Sequence, residues 1–208
     1  MQMAIRYIKA TGLPVTKTIF VALNCFLLGN YVFGQNDLSN QKRFVPDTSI
    51  NSVLKLLNPA SIRIAIGDQK TKMIEDEKAV RVQLTNKRGN QYFILYQLPA
   101  SNWNTFNEFE IGSIKSHDGS FGLSSFASFV TESGIRLGIT IDSLINIKGN
   151  GYRKSTNGDS VVLVYRLQEN GKSSTPSILR RYNMPEYKAA YFFSKSKLIK
   201  FIFGFPNP

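Results

Sequence analysis

The stretch that most constrains the fold is Thr131–Gly151, TESGIRLGITIDSLINIKGNG, which lies among segments whose apolar residues recur every second position. Thr140 is placed to cap a helix, and Asp142 sits in its first turn, where a carboxylate meets unpaired amides. Ile139 and Leu144 can staple the entry. Ile141, Leu144 and Ile145 form one apolar face, and Gly149 can take the left-handed conformation that closes a helix. A short capped helix feeding strand after strand predicts an α+β fold: an antiparallel sheet with short helices packed on one face.

The strands are read from period-two alternation. Residues 79–85 and 91–98 flank the turn Asn86–Asn90, and residues 106–114 alternate again. Residues 123–130 carry Phe126 and Phe129 toward the helix. After it, 151–153 is a brief strand and 160–167 a strong one. Residues 168–181 are polar, and 187–193 and 197–203 form a hairpin about Ser194–Ser196. Upstream, Ile50, Val53, Leu54 and Leu57 make an i, i+3, i+4, i+7 stripe, which predicts a two-turn helix over 48–58 that Pro59 ends. Residues 61–66 alternate like a strand. Helix plus about four strands, twice over, divides the chain into units at 48–130 and 131–208.

Before these units the chain reads as an export signal. Arg6, Lys9 and Lys17 precede an apolar run from Thr18 to Gly29, no acidic residue occurs before Asp37, and Val32-Phe33-Gly34 suits a signal peptidase. Residues 1–34 are therefore expected to be removed, leaving 35–47 as a flexible lead-in. About twelve apolar residues interrupted by Asn24 are too few for a bilayer that needs roughly twenty, so no transmembrane span is expected in the mature chain. Acylation at Cys25 is the alternative, giving a lipoprotein. Cys25 is the single cysteine, so the mature domain has neither disulfide nor thiolate ligand. Loss of three basic residues lowers the formal charge from +12 to +9. That charge favours an anionic partner, while the thin spread of the basic residues and the export signal argue against nucleic acid.

Chemistry-bearing constellations are sparse. His117 is the lone histidine and reads as loop surface; without a second histidine or a mature cysteine there is no zinc set, triad or dyad. Glu108 and Glu110 share a strand face and read as solvated, as does Glu75-Asp76-Glu77. No cofactor is implied, and the chain is expected to be non-enzymatic. The aromatic surplus is the remaining signal: Trp103 and Phe106 in an asparagine-rich loop could anchor a contact, and Tyr96, Phe109, Tyr165 and Phe193 could line a pocket.

The stretch Gly138–Gly149 also resembles the glycine-to-glycine helix of the SmpA/OmlA outer-membrane-assembly lipoproteins and of the related beta-lactamase-inhibitor-like proteins. Gly151 stands where those families have proline. The likeness covers Phe129–Phe203, with 48–59 as a fainter first copy, and implies an exported, tandem α+β domain that binds protein. The signal ending in Gly34-Gln35 before a basic, cysteine-free domain is similar to exported proteins of Bacteroidetes-type bacteria, which implies the periplasm or cell envelope. The expected function is a binding domain contacting protein or an anionic surface; the alternative is a carrier of a small apolar or sugar-like ligand held between sheet and helix.

Overall fold

Alternation translates directly into strands. The computed structural model describes residues 43–61, 64, 73–75, 80–97, 105–114, 121–169 and 176–206, all within the unit Val32–Pro208. In order they form β1 (Ser49–Ile50), β2 (Leu54–Lys55), β3 (Met73–Glu75), β4 (Val80–Thr85), β5 (Gln91–Gln97), β6 (Glu108–Ser113) and β7 (Gly122–Leu123). Then come α1 (Ile141–Lys148), β8 (Tyr152–Asn157), β9 (Ser160–Gln168), α2 (Ser177–Tyr182), β10 (Glu186–Ser194) and β11 (Lys197–Gly204).

The fold is α+β, with a nine-stranded, mostly antiparallel sheet and two short helices. Its order is β3-β4-β5-β6-β11-β10-β9-β8, with β7 added to β4 as the one parallel pair among the described residues. Two four-strand meanders, β3 to β6 and β8 to β11, thus meet at their last strands, where Phe203 stands opposite Phe109. One face carries Phe93, Leu95, Phe109, Ile111, Tyr165, Tyr191, Phe201 and Phe203, all buried. Leu144 of α1, Leu179 of α2, Ile50, Leu54, Phe129 and Ile135 belong to the same core.

The helix over 140–149 forms as its residues dictate. The Thr140 hydroxyl accepts from the Ser143 amide at 3.2 Å, and Gly149 at φ 81° donates to the Ile145 carbonyl. The expected helix over 48–58 does not form. Asn51 and Ser52 take positive φ, turning the chain into the β1–β2 hairpin. The cause is a distant contact: the Asn51 side chain donates to the Ser128 carbonyl and accepts from the Val130 amide, and its own amide donates to the Val130 carbonyl. The hairpin buries Ile50 and Leu54 of the stripe and leaves Val53 exposed. Asn58-Pro59 starts a helical turn instead of ending one. The Asn58 carboxamide caps the Ala60 amide at 2.9 Å, proline suits the first helical position, and after Ala60 both Ser61 and Ile64 are helical where a strand was expected.

Four further expectations change. Residues 124–130 form no strand; side chains hold them, with Gln91 accepting from the Phe129 amide and Asn86 donating to the Ala127 carbonyl. The polar segment before β10 contains α2, and β8 is longer than the brief pairing expected. At the end of the expected lead-in, Phe44 to Asp47 pack onto the core, as described below. Residues 1–42, including the expected signal and Cys25, lie outside the described residues, as do Trp103 and His117. Among the described residues no helix is long and apolar enough to cross a membrane.

Candidate functional site

The expected pocket rings do not meet. Phe109, Tyr165 and Phe193 are buried on the helix-bearing face, Phe106 is buried beside it, and Tyr96 projects from the opposite face, opposite Glu108. Phe109 packs edge-on against Phe93 and Phe203 at 5.2 and 5.6 Å, so these rings fill the core.

The opposite face holds a polar cluster on β5, β6, β10 and β11. Gly112 makes room for it: a Cβ there would lie 2.4 Å from the Tyr92 ring, which rests across β6. From that position the Tyr92 hydroxyl donates to Glu110 Oε1 at 2.7 Å, and the Tyr96 hydroxyl donates to Oε2 at 3.1 Å. Lys200 Nζ stands 3.8 Å from the same carboxylate and 4.5 Å from the centre of the Phe192 ring. Burial, then the charge of Glu110, raises the Glu108 carboxyl above its ordinary value, with Lys188 opposing. Tyr92 is raised far above the usual phenol range by burial and by Glu110. These glutamates are half-buried and built into the sheet, not the solvated pair expected. On the flanking strands the residues opposite Glu108 and Glu110 are Tyr96, Ile94, Gly204 and Ile202, so no carboxylate faces them across β5 or β11.

A groove of about 660 Å³ lies on the other side, between the segment Arg43–Thr48 and α2. The first wall is fixed from beneath. Phe44 stacks on Tyr165 at 4.6 Å, and Asp47 and Lys148, each 1% exposed, form an ion pair at 2.7 Å. Lys148 also donates to the Val45 carbonyl at 2.8 Å, and the buried Tyr187 hydroxyl donates to the Asp47 carbonyl at 2.6 Å. Burial holds the Tyr165, Tyr187 and Tyr191 phenols well above their ordinary range. The second wall is α2, which starts after Pro176 and ends at Asn183 in the left-handed conformation. Leu179 anchors it, Tyr182 lies 5.2 Å from Phe205, and Arg180 and Arg181 remain exposed.

The groove is thus lined by the apolar or aromatic Phe44, Leu167, Ile178 and Tyr182 together with Arg43, Arg180 and Arg181. Glu132, its one acid, is occupied: it accepts from the Thr48 amide at 2.7 Å and from the Thr48 and Ser49 hydroxyls. Among the described residues none of the three arginines has an ion-pair partner, whereas Arg166 pairs with Glu186. Planar guanidiniums grip carboxylates and phosphates bidentately, which is the chemistry this arrangement offers. Among the described residues no group of three or more His, Cys, Asp or Glu converges as a metal site.

Sequence reasoning left Arg180 and Arg181 in the polar segment 168–181 and passed over Arg43 and Lys148. A signal for Lys148 exists: it follows Ile141 by seven and Leu144 by four, so it occupies the fourth position of the buried stripe. Comparison with protein families, curated proteins and solved structures finds no match.

Proposed function

We propose that this chain is a non-catalytic binding domain of the cell envelope or secreted space that holds an anionic partner, a carboxylate- or phosphate-bearing protein or surface, in the groove between Arg43–Thr48 and α2. One observation carries it. Three arginines from two segments distant in sequence converge on one groove without an ion pair among the described residues, and the acid beside them is occupied by hydroxyls and an amide. The wall bearing Arg43 is held by a buried ion pair, so little ordering is required on binding. The formal charge of +12 on the full chain draws anions toward it from a distance. The export signal at the N-terminus supports the compartment, and the end-to-end meanders support the tandem reading of the sheet.

Tripolyphosphate, a small polyanion that fits the groove, tests this by titration calorimetry. Arg43→Glu, Arg180→Glu and Arg181→Glu together should weaken binding about tenfold or more, and salt should weaken it in the native chain. Lys87→Glu, Arg88→Glu and Lys195→Glu make the same change of charge elsewhere. Equal losses in both triple variants would reduce the effect to net charge and remove the groove from the proposal.

A further inference from the structure

The two edges of the sheet are treated differently. On the outer side of β4, β3 takes Val80–Val82 and β7 takes Leu84–Thr85, so short strands cover that edge. The opposite edge is β8, which pairs without a bulge to β9 from Tyr152 through Asn157. It has no second neighbour among the described residues, and Arg153 to Asn157 are exposed along its length. A long, regular edge offers every second amide and carbonyl to another strand.

Its chemistry selects the partner. Arg153, opposite Val164, projects from the polar-cluster face, and Lys154, opposite Leu163, projects from the other, so one cation stands on each side. Ser155, Thr156 and Asn157 are polar. Main-chain hydrogen bonds would supply affinity and the two cations selectivity, because opposite charges paired across strands attract and like charges repel. A second copy of the chain would set four cations along a single seam.

We infer that β8 accepts an acidic polypeptide segment as an added strand, at a place separate from the arginine groove. The test uses the full chain with a short peptide alternating threonine and glutamate, read by hydrogen exchange of the β8 amides. The peptide should slow the outward amides about tenfold, a threonine–lysine peptide should leave them unchanged, and Arg153→Glu with Lys154→Glu should invert that preference. A glutamate peptide N-methylated at alternate residues keeps the charge but cannot pair; equal binding by it would overturn strand addition. So would β8 protection with a doubled mass in the absence of peptide, which means self-association. Loss of peptide binding in the Arg43, Arg180 and Arg181 variant would also overturn it, placing the peptide in the groove. Retained binding there, with tripolyphosphate binding lost, supports two separate sites.

Discussion

Glu108 shows how one residue's setting reverses a sequence expectation. Two glutamates two positions apart on a strand ordinarily share a solvated face, but here the flanking strands bring Tyr92, Tyr96 and Lys200 onto Glu110 and leave Glu108 half-buried beside a charge of its own sign. A carboxyl whose folded value is raised binds its proton more tightly folded than unfolded. Stability then falls as pH rises from the unfolded value through the folded one, and the penalty stays above it. Glu108→Gln should therefore stabilise the protein at neutral pH, and the gain should vanish as pH drops below the ordinary carboxylate range. Urea denaturation of both proteins across that range checks this; a gain that does not depend on pH would exclude the ionisation of Glu108 as its source.

At the scale of elements, α1 was legible and its partner was not. Thr140, Asp142, Leu144 and Gly149 interact within or next to their own turn, so local sequence carries the information. The Asp47–Lys148 pair joins positions about a hundred residues apart and fastens the Arg43–Thr48 segment beneath α1, a contact no local pattern can show. Removing one partner of a buried pair strands the other charge. Lys148→Met should cost about 3–5 kcal/mol, whereas Lys148→Met with Asp47→Asn should cost clearly less than the sum of the two single changes. A double-mutant cycle by chemical denaturation measures this, and strict additivity would mean that the pair does not couple segment and helix. The same reason explains the missing helix over 48–58. Asn51 finds its partners at Ser128 and Val130, and those bonds overrode the helical stripe, burying Ile50 and Leu54 but leaving Val53 exposed.

Across the whole molecule, the core is aromatic and keeps its hydroxyls out of water. Tyr165, Tyr187 and Tyr191 in the core, and Tyr92 in the polar cluster on the opposite face, all bind their protons more tightly in the folded state. Unfolded phenols release theirs near pH 10, so stability should fall with rising pH above about that value. Tyrosinate absorbance, followed with circular dichroism, should show these four ionising only as the sheet unfolds; smooth titration with the sheet intact would contradict their placement. The sequence by itself determined the α+β class, α1 with both its caps, the β4–β5 and β10–β11 hairpins and the surplus of basic charge, because periodicity, capping and turn chemistry act within a few residues. Tertiary structure alone decided that the two meanders join through β6 and β11, that Tyr96 and Phe109 occupy opposite faces, that Arg43 meets Arg180 and Arg181 across one groove, and that β8 is left as an edge. Each of these depends on which distant segments pair, and strand pairing is set by burial and register across the whole sheet, which no single segment encodes.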